Sequence, residues 1–285
     1  CFWMAARKQA FSAQLVIVNH HLFFTDLALR QAGDFSADGL VLPPYQLVIF
    51  DEAHHLPEVA AEHLGARLDQ KEINHYCHRL LHREGKWGHG WLPSLRQRLM
   101  GNILDLALLQ RLIGVLEHEL VPGLLNLQNS FNAFFLTLGP VIGLNSDFPS
   151  QEEEKKRFTA NLLHDPALEN QVLRLQEDLN KWTAKLSQLV DELEDEEDFR
   201  EDFYFLAETG HFFTKVATLL PQILDGSDER YVSWLNIRLE GGGNNGHTTI
   251  NQVPLDLGPL LYRQLFSQVE GAVLTSATLT AAGEF

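Results

Sequence analysis

Cysteine is nearly absent from this 285-residue sequence, which contains only Cys1 and Cys77. Two isolated cysteines exclude a disulfide-stapled scaffold and fit a protein of a reducing compartment such as the cytoplasm. Long apolar runs are lacking as well, because no stretch reaches the roughly 18–20 residues that a membrane-spanning helix needs. The first residues also lack the pattern of a secretory leader. We therefore expect a cytoplasmic protein with no membrane partner.

Basic residues are scarce too, since 22 Lys and Arg against 38 Asp and Glu give a formal net charge of −16. A nucleic-acid-binding domain usually has at least one basic face, so this balance argues against DNA binding by the chain alone, but it leaves room for a local basic groove. We interpret the acidic stretch Asp191–Asp202 as a solvated helix face or loop. No initiator methionine is present, and we expect an internal piece of a longer protein.

Three short apolar runs indicate a parallel sheet. Leu15–Val18, Leu47–Phe50 and Ala272–Thr275 are continuous and rich in β-branched residues, which is typical of strands buried on both faces. Alternation typical of strands occurs in Tyr231–Leu239 and again in His247–Val253. These patterns predict α/β sequence at both ends of the chain.

The middle of the chain predicts helices and almost no strands between Pro57 and Gly226. The clearest helix runs from Pro166 to about Glu194, where apolar residues recur every three or four positions, as on a helix packed in a bundle. We therefore expect an α/β fold that is interrupted by a large all-α insertion.

The strongest chemical motif is Asp51-Glu52-Ala53-His54, directly after the run Leu47–Phe50. Ligands of open α/β sheets bind at the carboxyl ends of strands, and in nucleotide hydrolases carboxylates placed there bind Mg²⁺ or activate water. An acidic turn at the start of a helix is the plainer interpretation of an Asp-Glu pair. The second motif is Val273-Leu274-Thr275-Ser276-Ala277-Thr278-Leu279, at the end of another strand, where hydroxyl residues are also ordinary turn chemistry.

Together the two motifs carry a family resemblance. Asp51–His54 resembles motif II, and Ser276-Ala277-Thr278 resembles motif III, of superfamily 2 helicases. The more than 200 residues between them resemble the layout of the DinG/XPD family, in which a helical arch is inserted between these motifs. The segment Cys1–Arg7, followed by Gln14–Leu22, resembles the exit from that family's iron–sulfur domain. The sequences of these segments most closely resemble those of the bacterial DinG-like branch.

The resemblance implies a partial RecA-like sheet of the P-loop NTPase type. It divides the chain into part of the first motor domain (1–56), a helical arch-like insertion (57–228) and a return to the motor domain (229–285). It also implies that Asp51 helps bind Mg²⁺ with ATP, that Glu52 activates water, and that His54 couples hydrolysis to DNA grip together with motif III. Cys1 corresponds to the fourth ligand of an iron–sulfur cluster.

The implied parent protein is an ATP-dependent DNA helicase that uses Mg-ATP and a 4Fe–4S cluster. It translocates 5′ to 3′ on single-stranded or forked DNA in replication or repair, with proteins of those processes as partners, at the bacterial nucleoid. The segment Gly241–Thr248 has the glycine spacing of a phosphate-binding loop, but His247 stands where the lysine belongs and no helix is predicted after it. We therefore expect the isolated chain to be inactive.

Other residues have weaker claims to a function. Trp87 and Trp91 could stack on single-stranded bases, although packing into a core is the plainer interpretation. The histidines His75, His78 and His82 share helical spacing, and we favour a surface role over metal binding for them. A rival function for the whole chain is a helical protein-interaction module without motor activity.

Overall fold

The computed structural model describes residues 2–32, 41–82, 88–143, 153–194, 196–239 and 246–277. The chain divides into two compact units. The first consists of residues 1–66, 230–232 and 252–285, and the second of residues 67–229 and 233–251. The fold is mixed α/β, with a two-stranded parallel sheet, a separate four-stranded sheet and a large helical region.

The elements follow one another along the chain as helices, strands and short 3₁₀ or π turns. In order they are α1 (Phe2–Ala10), α2 (His20–Ala32), β1 (Leu47–Phe50), α3 (Leu56–Leu64), β2 (Ala66–Asp69), α4 (Gln70–Leu80), α5 (Trp91–Asn102), α6 (Leu106–Val115), α7 (Val121–Val141), β3 (Glu153–Phe158), α8 (Pro166–Leu193), α9 (Arg200–Leu224), β4 (Tyr231–Leu239), β5 (Gly246–Pro254), α10 (Gly258–Leu261) and β6 (Gly271–Leu274). A 3₁₀ turn, Ala53–His55, precedes α3, and π turns lie at Leu116–Leu120 and Tyr262–Phe266.

The first unit is built on the parallel pair β1–β6. Leu47 lies opposite Gly271 and Phe50 opposite Leu274. Helices α2 and α3 and the segment after α10 cover one face of the pair. The buried residues that form this core are Phe23, Phe24, Leu27, Leu42, Phe50, Ala53, Leu56, Val59, Ala60, Leu261 and Leu265.

Two expectations about these strands are wrong. The run Leu15–Val18 forms no strand, because the structure gives it no hydrogen-bonded neighbour, although Val16 and Val18 pack against the core. Strand β1 is covered on one face only, since Leu47 and Ile49 are 71% and 69% exposed, and in β6 Val273 and Leu274 are also exposed. Apolar sequence alone did not distinguish a doubly covered strand from one with an open face.

A buried ion pair fixes the chain before β1. Asp26 is fully buried, and its carboxylate accepts hydrogen bonds from the backbone N–H groups of Val41 and Leu42 at 2.9 and 2.8 Å. Arg30 donates to the other carboxylate oxygen at 2.6 Å and to the backbone carbonyl of Leu42 at 2.8 Å. The pair therefore attaches α2 to the segment that enters the strand. Burial also raises the pKa of Tyr45, whose ring lies against the Arg30 guanidinium.

The second unit is mainly helical, and its centre is α8 packed between α7 and α9. The side chain of Asp165 caps α8 by accepting hydrogen bonds from two N–H groups of its first turn. Every member of the predicted apolar stripe is buried, which confirms this helix: Leu168, Val172, Leu175, Leu179, Trp182, Leu186, Leu189 and Leu193.

The acidic stretch is not wholly solvated, contrary to our interpretation. Asp202 is 3% exposed and forms an ion pair with Arg98. It also accepts a hydrogen bond from the indole Nε1 of Trp91 at 2.6 Å. A buried carboxylate is tolerated only where such partners compensate its lost hydration. Sequence composition cannot reveal those partners, because they lie about a hundred positions earlier in the chain.

A four-stranded sheet, in the order β2-β5-β4-β3, also departs from expectation. Strands β4 and β5 were predicted, but β2 and β3 fall in the region where almost no strands were expected. Strand β3, with the sequence EEKKRF, pairs antiparallel with β4. Both missed strands lie at the edges of the sheet, where charged residues are common because they oppose further strand addition. Their sequences therefore lack an apolar alternation.

The compact units divide the chain at other residues than the predicted domains. Helix α3 belongs to the first unit, because its residues Leu56, Val59 and Ala60 are part of that core. Most of β4 and β5 belongs to the second unit. Among the described residues, none of the helices combines the length and the apolar composition that crossing a bilayer requires.

The contact between α7 and α8 depends on a glycine. Trp182 is 3% exposed, and its Nε1 donates a 2.9 Å hydrogen bond to the carbonyl of Leu120 in the π turn before α7. A Cβ atom on Gly123 would lie 2.8 Å from Cδ1 of this indole. Only a residue without a side chain lets the indole lie so close to the helix.

We expect Gly123→Ala to lower the free energy of unfolding by about 1–2 kcal/mol, because overpacking outweighs the gain of about 1 kcal/mol in helix propensity. The control is Gly114→Ala in α6, where an added Cβ meets no atom within 4 Å, and there we expect a gain of about 0.5–1 kcal/mol. Urea denaturation followed by circular dichroism measures both. Equal changes in the two variants would contradict the close contact.

Candidate active site

The candidate site begins where β1 ends. Phe50, the last residue of the strand, is 2% exposed, whereas Asp51 and Glu52 are both exposed. The apolar strand is therefore held in the core while the two carboxylates behind it reach solvent. The 3₁₀ turn and the proline-containing first turn of α3 follow directly, and Ala53 returns to the core.

Glu52 has an unusual backbone conformation. Its φ of 50° and ψ of 48° lie in the left-handed region, and no other non-glycine residue of the described part of the chain has a positive φ. This conformation costs a residue with a Cβ about 1–2 kcal/mol. Such strain concentrates at functional sites, where the surrounding structure enforces it. Here it turns the chain sharply between the strand and the 3₁₀ turn.

The segment after β6 lies beside this turn and is joined to it by backbone hydrogen bonds. The N–H of Thr275 donates to the carbonyl of Phe50 at 2.8 Å, and the N–H of Ala53 donates to the carbonyl of Thr275 at 2.9 Å. These two bonds extend the ladder beyond the ends of both strands. The two motifs recognised in the sequence therefore meet at one edge of the sheet.

The side chains of the two motifs also contact each other. Nδ1 of His54 lies 2.8 Å from Oγ of Ser276, a residue 222 positions away. The same Nδ1 lies 3.2 Å from a carboxylate oxygen of Glu52. The hydroxyl of Thr275 donates a 2.8 Å hydrogen bond to Oδ1 of Asp51. A carboxylate pair, an imidazole and two hydroxyls thus form one connected group.

Thr275 is the residue that sequence reasoning missed. It stood in the second motif, but only Ser276, Ala277 and Thr278 were selected as the motif III residues. Its place at the end of the predicted run Ala272–Thr275 was the available indication, because ligands of open α/β sheets bind at the carboxyl ends of strands. Its hydroxyl, rather than that of Ser276, contacts Asp51.

Several predicted site residues lie outside the described part of the chain. These are Cys1, Trp87 and Thr278. Ala277 lies in an exposed turn after the hydroxyl residues. Nothing in the described residues therefore bears on a cluster ligand at Cys1, on base stacking by Trp87, or on a contact made by Thr278.

Trp91, at the start of α5, packs against other side chains of the same chain. Its ring stacks on Phe205 with 4.0 Å between centroids, and its Nε1 donates to buried Asp202. The guanidinium of Arg98 lies 5.8 Å from the centroid of the same ring. These contacts agree with the plainer interpretation of Trp91 as a packing residue, and base stacking by it stays a prediction.

The site offers oxygen ligands suited to a hard cation such as Mg²⁺. Both hydrogen bonds received by Asp51 go to Oδ1, from the Thr275 hydroxyl and from the N–H of Glu52 at 3.0 Å. Oδ2 of Asp51 has no hydrogen-bond partner among the described residues. Because the protein orients this carboxylate through Oδ1, its Oδ2 is suited to serve as a single direct ligand of Mg²⁺.

The chain does not provide a complete set of ligands for an iron–sulfur cluster. Such a cluster requires four thiolates, and the sequence contains only Cys1 and Cys77. Cys77 is buried in α4, and this burial raises the pKa of its thiol to about 12. Cys77 is therefore a packing residue, as expected, because a thiol that does not ionise is a poor metal ligand.

No protein-family model matches the chain, but curated proteins do. Over its whole length it is 28% identical to the protein named 3'-5' exonuclease DinG of Bacillus subtilis, of which it covers 29%. It is 24% identical, again over its whole length, to the ATP-dependent DNA helicase DinG of Photobacterium profundum, of which it covers 38%. A stretch of 77 residues is 42% identical to the ATP-dependent DNA helicase YoaA of Haemophilus influenzae, but covers 27% of the chain and 11% of that protein.

The chain thus spans less than two fifths of the length of these relatives. Its similarity to both DinG proteins extends over both motifs and over the helical sequence between them. The resemblance inferred from the motifs is confirmed, since proteins named DinG match the chain over its whole length.

Proposed function

We propose that this chain is part of the first, RecA-like motor domain of an ATP-dependent DNA helicase, together with the helical arch inserted into it. The observation that carries the proposal is the contact between His54 and Ser276 at the carboxyl ends of two adjacent parallel strands. It joins the two helicase-like motifs across 222 residues, in a chain whose relatives include proteins named DNA helicases.

The two carboxylates have separate roles in this proposal. Asp51 is a ligand of Mg²⁺, which neutralises charge on the β- and γ-phosphates of ATP, and the hydroxyl of Thr275 holds its carboxylate in place. Glu52 accepts a proton from the attacking water while the water oxygen bonds to the γ-phosphorus. The bond from that phosphorus to the β–γ bridging oxygen breaks, and the products are ADP and inorganic phosphate.

His54 and Ser276 link this chemistry to DNA. The His54 ring contacts both the catalytic carboxylate and the motif III hydroxyl, so a change of charge at Glu52 alters the hydrogen bond to Ser276. Ser276, Ala277 and Thr278 follow β6 and transmit that change to the DNA-binding surface. We infer that DNA is gripped and released in step with hydrolysis, in the 5′ to 3′ direction.

The helical second unit forms the arch of this helicase, with Trp87 and Trp91 as candidate contacts to single-stranded or forked DNA. Cys1 is the fourth ligand of a 4Fe–4S cluster whose other three cysteines belong to further sequence of the longer protein. Replication or repair proteins at the nucleoid are the proposed partners. The net charge of −16 supports a basic DNA-binding surface that lies largely on that further sequence.

The 285-residue chain by itself is proposed to be inactive. The nearest match to a phosphate-binding loop, Gly241–Thr248, ends inside strand β5, which begins at Gly246, so no helix follows it. His247, at the lysine position, lies 2.9 Å from Asp69 in the second unit. A phosphate-binding loop needs a helix N-terminus and a lysine, and this segment provides neither. ATP binding then requires a loop from the longer protein.

We expect Glu52→Gln in the longer protein to lower DNA-stimulated ATP hydrolysis by about 100-fold or more, because general-base catalysis contributes about 10²–10⁴-fold. ATP binding stays unchanged, since the amide keeps the size of the carboxylate. The matched control is Glu58→Gln, an exposed carboxylate on α3, and it retains wild-type hydrolysis. Steady-state phosphate release and binding of a fluorescent ATP analogue measure the two properties.

Unchanged hydrolysis in Glu52→Gln would remove Glu52 from the role of base. A wild-type protein that neither binds nor hydrolyses ATP, with and without single-stranded DNA, would instead favour a helical protein-interaction module.

We expect Ser276→Ala to separate hydrolysis from unwinding. The substitution removes the hydroxyl at His54 and leaves both carboxylates in place, so hydrolysis falls little while forked-duplex unwinding falls by about 10-fold, within the range of typical coupling energies. The control is Ser267→Ala, whose hydroxyl donates to the carbonyl of Arg263 and accepts from the side chain of Gln268, both in its own turn. A parallel loss of hydrolysis and unwinding in Ser276→Ala would contradict a coupling role.

The left-handed backbone of Glu52 gives a test that the 285-residue chain allows. We expect Glu52→Gly to be more stable than Glu52→Ala by about 1 kcal/mol, because glycine avoids the penalty of positive φ. The comparison pair is Glu58→Gly and Glu58→Ala in α3, where the order reverses by about 1 kcal/mol. Thermal unfolding of the four variants measures the difference. The same order at both positions would show that Glu52 is not strained.

A further inference from the structure

Three potential metal ligands meet at the start of α2 and the end of α3. Nδ1 of His21 lies 3.2 Å from Nε2 of His63 and 3.7 Å from a carboxylate oxygen of Glu62. One donor atom from each residue lies within 4.8 Å of the other two. All three residues belong to the first unit, and sequence reasoning considered none of them. It considered His75, His78 and His82 instead, of which the first two lie on α4 and His82 lies beyond its end. These three do not form such a group among the described residues.

The distances match the size of a four-coordinate transition-metal site. Zn²⁺ binds histidine nitrogen and carboxylate oxygen at about 2.0–2.2 Å, and tetrahedral geometry then separates neighbouring donor atoms by about 3.3–3.5 Å. The two measured separations, 3.2 and 3.7 Å, lie on either side of that value. Two imidazoles and one carboxylate are also a donor set that zinc proteins use, with the fourth position open to water.

The helices hold the two histidines close together. Asn19 accepts a 2.8 Å hydrogen bond from the N–H of Leu22 and so fixes the first turn of α2, on which His21 lies. The His63 ring stacks on the fully buried Phe24 of the same helix, with 6.5 Å between centroids. Since α2 and α3 pack in one core, these two rings approach each other without help from a metal.

The local electrostatics also favour a cation. Glu62 brings a negative charge, and the last turn of α3 adds the negative end of the helix dipole. A hydrogen bond between the two imidazoles and an ion pair of Glu62 with His21 also account for these distances without a metal, so binding of the ion itself is the deciding observation.

We propose that His21, Glu62 and His63 form a binding site for one divalent transition-metal ion of the Zn²⁺ class, which joins the start of α2 to the end of α3. The site shares no residue with Asp51, Glu52 or the motif III hydroxyls. Its nitrogen donors distinguish it from the oxygen site proposed for Mg²⁺, since Mg²⁺ prefers carboxylates and water. An ion here stabilises the pairing of the two helices that cover the parallel strands.

Titration of the untagged 285-residue chain with Zn²⁺ and with Co²⁺ tests the proposal. We expect one equivalent of Zn²⁺ to bind, and Co²⁺ to develop the visible absorption of a four-coordinate ion that Zn²⁺ then displaces. Millimolar Mg²⁺ does not compete. His21→Ala and His63→Ala each weaken Zn²⁺ binding by at least about 10-fold, because losing an inner ligand costs no less than losing an outer-shell partner. Zinc also raises the unfolding temperature of the wild type but not of these variants.

The control is His164→Ala, an exposed histidine of the second unit, and it binds Zn²⁺ like the wild type. Glu62→Gln removes the carboxylate charge at an exposed position, so it supplies a folded variant if either alanine substitution perturbs the helices. The proposal is overturned if the wild type shows no saturable binding at Zn²⁺ concentrations up to about 100 μM, which is the order of the dissociation constants of weak protein metal sites. It is equally overturned if His21→Ala or His63→Ala binds as tightly as His164→Ala.

Discussion

The parallel pairing of β1 with β6 is the contact on which the candidate site depends. It sets Phe50 against Leu274 and continues into the two backbone bonds of Thr275. A shift of this register by one residue would turn every side chain to the other face, and Ser276 would then lose its position beside His54. The carboxylates, the imidazole and the hydroxyls are brought together by main-chain hydrogen bonds rather than by their own attraction. This explains how exposed polar groups keep a defined arrangement at the edge of a small sheet.

The sequence predicted those parts of the fold whose information is local. Helix α8 was predicted almost to the residue, because a long apolar stripe with period 3.6 has few other interpretations. Strands β1 and β6 followed from short β-branched runs. The site at the end of β1 followed from the rule that ligands bind where parallel strands end. The family resemblance added what periodicity could not, namely that two motifs more than 200 residues apart belong to one site, and the contact between His54 and Ser276 agrees with it.

The parts that were missed depend on partners distant in the chain. Asp202 is an ordinary acidic residue until Arg98 and Trp91 meet it in the folded unit. Strand β3 consists mostly of charged residues, and only its pairing with β4 makes it a strand. Thr275 was passed over because its bond to Asp51 crosses 224 positions. In each case a physical property such as burial, strand pairing or ligand binding depends on two residues that are distant in the chain. A single sequence does not show which residues become partners.

The order of strands in the second sheet has a consequence for how the chain folds. Strand β2, which enters the helical insertion, lies next to β5, which leaves it. Closing a loop costs entropy that grows with its length, and contacts between distant residues form slowly. Once β2 and β5 have paired, the two ends of the insertion lie next to each other. The loop that must close to bring β1 and β6 together is then effectively much shorter. The pairing of β1 with β6 then costs less entropy than it would across the full separation of these strands along the chain.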